Sequence, residues 1–219
     1  MALDGLAILG GTGPEGRGLA LRVARAGTPV VIGSRDASRA VAIAAELAGQ
    51  GGLAITGAAN AEAATSASIV MVAVPWDAHE TTLRSLEGEL AGRIVVDIVN
   101  PLRFDAHGPV GLRVPEGSAA EQAQALLPRS TVVSGFHHVS AKLLLDEGGG
   151  VDTDILVCGD DDEAKRRVMD LADGLSGARA IDAGPLRLSG FLEGLTAVIL
   201  SVNRRYHTNA GIQLTNVEP

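Results

Sequence analysis

The chain has 219 residues, enough for one large or two small domains, and 46% of them are hydrophobic, so a sizeable core can form. Aromatic residues make up only 2%, which makes that core aliphatic. The formal charge of −8 and the lack of any basic run argue against nucleic acid as a partner.

Met1 to Asp4 lacks a basic region and a long apolar run, so no signal peptide is expected. Leu6-Ala7-Ile8-Leu9 is a short apolar run that reads as a strand. Gly10-Gly11-Thr12-Gly13-Pro14-Glu15-Gly16 follows, and residues 19–26 read as a helix. Val30-Val31-Ile32 reads as a second buried strand, and Asp36 as the N-cap of a helix to about Ala48. Strands at residues 53–56, 68–74 and 94–99 alternate with helical patterns at 60–67 and 77–90. Residues 104–117, rich in Gly, Pro and polar side chains, read as a loop. Ser118 caps a helix over 119–127, with Glu121 completing a capping box. A strand at 131–134 and an amphipathic stretch at 139–145 complete this part.

Gly148-Gly149-Gly150 is the best boundary in the chain. It divides residues 1–150, a Rossmann-type domain, from 151–219, a small α/β C-terminal domain. Beyond it lie a strand (154–158), an acidic turn, a helix (163–175), a short strand (179–182), a long apolar helix (186–205) and a mixed tail. The lone Cys158 can form no internal disulfide, which fits a reducing, cytoplasmic setting. The longest apolar stretch, 195–202, is too short for a bilayer, so no membrane partner is expected. Alternating strands and helices predict an α/β fold with a doubly wound parallel sheet.

Strand, glycine turn, helix is the context in which G-x-G-x-x-G signals dinucleotide binding. Gly11 permits the tight turn, Gly13 lets backbone approach a pyrophosphate, and Gly16 allows close helix packing. The start of the helix offers free N–H groups to phosphates. At the end of the second strand an NAD enzyme usually carries an acid for the ribose. Here Ser34 and Arg35 hold that place, and Arg39 lies one turn along the same helix. A hydroxyl and two guanidinium groups suit a 2′-phosphate, so NADP is favoured over NAD. Asp36 is the counter-signal, as an NAD acid displaced by one or two residues.

Ligands in open α/β sheets lie beyond the carboxyl ends of the strands. Val74-Pro75-Trp76, Asn100-Pro101 and Gly135 to Ala141 occupy such ends. No nucleophile–base–orienter triad is visible. His137-His138 lacks partners at metal-ligand spacing, so no metal site and no catalytic acid–base set is expected.

The strings ILGGTGPEGRGLALRVA, VIGSRD followed by Arg39, VAVPW, VCGDDDEAKRRVM and IDAGPL resemble the NADP-dependent coenzyme F420 reductases. The matches run in order from residue 6 to beyond 185, over most of the chain. The resemblance implies a Rossmann domain with a small C-terminal domain, homodimers, and hydride transfer between NADP(H) and the deazaflavin coenzyme F420 bound in the cleft. It implies that Gly11, Thr12, Gly13, Pro14, Glu15 and Gly16 surround the pyrophosphate, and that Ser34, Arg35 and Arg39 hold the 2′-phosphate. It also places Val74, Pro75, Asn100 and Ala141 along the nicotinamide half, and His137 and Val139 near the deazaflavin. Pro14-Glu15 departs from the family pattern by putting a carboxylate near the phosphates. Two other readings are an NADP-dependent dehydrogenase of a small organic substrate and a non-enzymatic NADP sensor. The second would need no pocket for a second ligand.

Overall fold

The computed structural model describes residues 5–146 and 148–217. The segment Met1 to Asp4, read above for a leader, lies outside the described residues. The chain runs through β1 (Leu6–Leu9), α1 (Pro14–Arg25), β2 (Val30–Ser34), α2 (Ala37–Ala48), β3 (Ile55–Ala59), α3 (Asn60–Thr65) and β4 (Ile69–Val72). Next come α4 (Trp76–Ser85), α5 (Glu87–Leu90), β5 (Ile94–Asp97), β6 (Leu102–Asp105), β7 (Gly108–Gly111), α6 (Ala119–Leu126) and β8 (Thr131–Ser134). Then α7 (Ala141–Leu145), β9 (Thr153–Gly159), α8 (Asp162–Asp173), β10 (Ala178–Gly184), a 3-10 turn (Leu186–Leu188) and α9 (Ser189–Tyr206) complete the order.

Among the described residues, one sheet has the order β10-β9-β8-β5-β4-β1-β2-β3. The strands pair in parallel except β8 with β9. Apolar strands covered on both faces read as continuous hydrophobic runs, and β1 and β4 are buried at every position. The order reverses between β1 and β4, so their carboxyl ends diverge into a crevice.

The strands beyond Gly150 extend this same sheet. A buried cation fastens the segment that leads to them, residues 143–149, onto α1. Arg22 of α1 donates from Nε to the Leu144 carbonyl at 2.8 Å, and from its terminal nitrogens to Gly149 at 2.7 Å and Leu143 at 2.6 Å. It also donates to the carbonyl of Asp146. These carbonyls lie at the end of the short helix α7 and just beyond it, and of them Leu143 also accepts from the Asp146 N–H. Burial pulls the Arg22 pKa down, and the carbonyls stand in for lost water. Beside it, a Cβ on Gly18 would lie 2.5 Å from the Leu144 Cβ, so α1 and α7 pack against each other only because residue 18 is glycine.

Several stretches differ from the sequence expectation, among them the helix expected over 77–90, which is split into α4 and α5, and the strand expected at 53–56, which is β3 at Ile55–Ala59. The helix expected to start at residue 19 starts at Pro14, inside the glycine motif, since proline suits the first helical turn. Residues 102–111 form an antiparallel hairpin, hidden in the sequence by its Gly, Pro and charged residues. The helix expected over 186–205 begins as a 3-10 turn before α9. The turn and α9 together, Leu186–Tyr206, are long and apolar enough to cross a membrane by length and composition, although 195–202 alone is not. In this fold α9 buries Ser189, Leu192, Glu193, Thr196 and Ile199, and leaves Phe191, Val198, Val202 and Tyr206 exposed. Glu193 reaches the start of α6, accepting from the N–H groups of Ala119 at 3.0 Å and Ala120 at 3.3 Å. It thus joins the expected Ser118–Glu121 cap, in which the Glu121 N–H donates to the Ser118 hydroxyl at 3.0 Å. Cys158 is buried, which pushes its thiol up to about 11 and leaves it unreactive.

Replacing Arg22 with alanine removes its four hydrogen bonds to these carbonyls and leaves Leu143 only its bond from the Asp146 N–H. The expected loss is about 3 kcal/mol in urea unfolding. Arg22→Lys recovers little of it, because a point charge cannot serve the same fork. A loss below about 0.5 kcal/mol for Arg22→Ala would contradict the clamp.

Candidate active site

The crevice holds a chain of cavities. The first, about 750 Å³, is lined at one end by Gly10, Thr12, Gly13, Pro14, Glu15 and Gly16, and at the other by Ser34, Arg35 and Arg39. The Gly11 N–H donates to the Ile8 and Gly33 carbonyls, which ties the turn to β1 and β2. A Cβ on Gly16 would come within 2.5 Å of the Gly11 Cα. Gly16 therefore lets α1 close onto the turn itself. A Cβ on Gly13 would meet nothing within 4 Å, so its open side faces the cavity. Gly13 caps α1 with no side-chain hydrogen bond, which leaves the first N–H groups of the helix available to an anion.

At the other end, Asp36 is used as a cap. It accepts from the Arg39 N–H at 3.1 Å and the Ser38 hydroxyl at 2.5 Å, and these bonds hold its carboxyl below the usual range. Ser34 is buried, and its hydroxyl accepts from the Asp36 N–H at 3.1 Å. Among the described residues, the exposed Arg35 and Arg39 side chains have no hydrogen-bond or ion-pair partner. Asn60, missed in the sequence, accepts from the Gly10 N–H at 3.3 Å and lines the same cavity.

A second cavity, about 690 Å³, is lined by Asn100, His137, Val139, Ala141, Thr196 and Asn203, among others. A smaller one of about 250 Å³ joins the two. It shares Val74 and Pro75 with the first and Asn100 and His137 with the second. Glu15 borders all three. Of the residues expected at the site, all but Gly11 line this trough. Ala141 lines the second cavity and not the first, so it stands away from the phosphate end.

The wall between the cavities is held rigidly. Asn100 Nδ2 and Thr196 Oγ1 both donate to the His137 carbonyl at 2.9 Å. Phe136, just before it, has φ of 64°, a left-handed conformation rare outside glycine. Burial pulls His137 down to about 4, so its ring is neutral and offers one N–H and one lone pair. His138 donates from Nε2 to the Asp154 carbonyl at 2.6 Å. Among the described residues, six buried side-chain polar atoms lack a partner, and five of them belong to Glu15, Asn100, His137 and His138. Buried orphans cost about 1–3 kcal/mol each, and their clustering marks where a ligand completes the structure.

Beneath the joining cavity lies a buried network that no local motif announces. His79 Nε2 is 2.6 Å from Asp97 Oδ2, and Nδ1 is 3.0 Å from Gln122 Oε1. Both ring nitrogens face acceptors, which suits the doubly protonated ring. Burial works against that charge, but the Asp97 bond and charge outweigh it and raise the His79 pKa. Trp76 stacks on His79 with ring centroids 5.4 Å apart and itself lines the joining cavity.

Residues 5–101 match the family model "NADP oxidoreductase coenzyme F420-dependent". The F420-dependent NADP reductase of Methanocaldococcus jannaschii is 42% identical over 97% of this chain and 99% of its own. The chain belongs to the F420-dependent NADP reductase family. The corresponding reductase of Methanothermobacter marburgensis is 39% identical over 97% of this chain and 98% of its own. A crystal structure of a candidate F420-dependent NADP reductase from Arthrobacter sp. FB24 superposes with a TM-score of 0.83 at 30% identity, covering 98% of this chain and all of that one. These full-length matches include the C-terminal strands, so in this family member the strands after Gly150 belong to the shared fold.

His79→Ala leaves the Asp97 carboxylate buried and unpaired, at an expected cost of about 3 kcal/mol near pH 6. Because the folded His79 pKa is raised, its stabilisation is complete below the ordinary value of 6.5 and fades as pH rises through the raised one. Urea melts of both proteins across that range should converge toward high pH. A gap that widens with pH would contradict the charged pair.

Proposed function

We propose that this chain transfers a hydride between NADP(H) and the deazaflavin coenzyme F420, with the dinucleotide along the first cavity and the deazaflavin in the second. When bound, the reduced nicotinamide supplies a hydride from carbon and the deazaflavin takes it at carbon. The chain's own part is to align two flat rings and to exclude water. The observation that carries the reading is the continuous trough, with its unpartnered polar atoms gathered where the two ligands meet.

Arg35 and Arg39 take the 2′-phosphate, and the open face of Gly13 with the start of α1 takes the pyrophosphate. Val74 and Pro75 lie along the nicotinamide. Asn100 Oδ1 and the neutral His137 ring meet polar atoms of the rings. Thr196, Ile199 and Asn203 of α9 form the far wall, so the C-terminal part completes the deazaflavin site. Lys142 and Arg204 line its exposed mouth, where an anionic tail would leave the protein. The apolar stripe of Phe191, Val198 and Val202 on α9, with Phe104 of the hairpin, fits a homodimer contact. Light scattering should give twice the chain mass, and a monomer at micromolar concentration would contradict that contact.

Mixing the protein with NADPH and oxidised deazaflavin should bleach the deazaflavin absorbance. No bleaching under conditions where NADPH binds would contradict the proposed reaction. In the same assay, Arg35→Ala should raise the KM for NADPH at least tenfold, an order expected for a lost charge-assisted phosphate contact, while changing that for NADH little. Equal effects on both would remove Arg35 from the 2′-phosphate site.

A further inference from the structure

Glu15 is the residue of the trough that the proposed function leaves unexplained. It stands in the first turn of α1, where a carboxylate is ordinarily favoured by the helix dipole. Here its Oε1 is buried and has no partner, and the side chain borders the dinucleotide cavity, the joining cavity and the second cavity. A carboxylate at that point would face the phosphates and ring oxygens of the ligands with only acceptors to offer. A carboxylic acid can donate a hydrogen bond to them.

We propose that Glu15 is a binding residue of the nicotinamide half, which enters the NADP(H) complex as the neutral acid and donates its proton to the carboxamide oxygen. The inference rests on the NADP reading above. Glu15 lines the joining cavity together with Val74, Pro75, Asn100 and His137, and its buried Oε1 has no partner there among the described residues. Independently of any ligand, burial pushes its carboxyl up to about 8, so the acid is already the main form at neutral pH. Binding is then linked to protonation. Affinity is complete below this value and is lost as pH rises through it.

Other charged and titratable groups face Glu15 from each element packed around it. On the side of β2 and α2 lie Arg35, Arg39 and Asp36, whose capping bonds hold its carboxyl below the usual range. On the loop before α7, His137 and His138 are held neutral by burial. Lys142, Arg204 and His207 are exposed at the far mouth of the second cavity. On α1 itself, Arg17 is paired with Glu46. The 2′-phosphate of NADP loses its second proton near pH 6, below the range in which Glu15 titrates.

Calorimetric titration of NADP+ into the unmodified protein at pH 7 and pH 9 tests the proposal, in buffers of different ionisation enthalpy. The dissociation constant should rise about tenfold between the two, with proton uptake on binding at pH 9. Glu15→Gln keeps a neutral donor and should bind with a flat profile and no uptake. The fragment 2′,5′-ADP, which lacks the nicotinamide, should bind the unmodified protein with a flat profile too. A flat profile for NADP+ with the unmodified protein would overturn the proposal and leave the NADP reading intact. Equal linkage for NADP+ and 2′,5′-ADP, or for Glu15→Gln and the unmodified protein, would also overturn it. Failure of NADP+ to bind at all would overturn both.

Discussion

One buried guanidinium decides how the two halves of the trough face each other. Arg22 reaches from α1, whose first turn carries the glycine loop and Glu15, to the carbonyls of Leu143, Leu144, Asp146 and Gly149. The segment it grips continues directly from Val139 and Ala141, which wall the second cavity. Phosphate end and second cavity are therefore fixed to one helix. A displacement of the two by an ångström is enough to spoil alignment for hydride transfer, so a rigid fork between them is worth its desolvation. Gly18 serves the same end sterically, since any larger residue would push α7 off α1.

The electrostatics of the site follow from dryness more than from charge pairs. Burial dominates the shifts at Glu15 and His137, and both become neutral near pH 7. Charged side chains lie at the periphery, with Arg35, Arg39 and the capped Asp36 at one end and Arg204 and Lys142 at the other, where anionic ends of ligands would sit. A buried charge pair near the centre, His79 with Asp97, is turned away behind Trp76. A neutral middle between cationic ends suits two anionic cofactors whose reacting rings must lie close together.

Much of this was legible in the sequence because it is local. The glycine turn, the Asp36 cap, the Ser34-Arg35 strand end and the alternation of apolar strands with helices each depend on residues a few positions apart. The hairpin at 102–111 was hidden because its pattern is broken by Gly, Pro and charge, and pairing with its own neighbour is its main support. Arg22 carries no signal in the sequence, since its acceptors are backbone carbonyls more than 120 positions away. The triple glycine reads as a boundary in the sequence, and only the pairing of the strands beyond it shows that they extend the same sheet. His79 and Asp97 are 18 residues apart on a helix and a strand, and nothing in that spacing distinguishes them from solvated residues. Glu15 was visible as an oddity, but only its burial among three cavities turns the oddity into a chemical property.

The central claim is that the trough brings the nicotinamide and the deazaflavin into direct contact. NADPH carrying deuterium at its transferable position tests this most directly, with the reduced deazaflavin examined by mass spectrometry. Direct transfer across the trough predicts deuterium on the deazaflavin ring carbon and none released to water. Deuterium appearing in the solvent, or reduced deazaflavin carrying only solvent hydrogen, would contradict it.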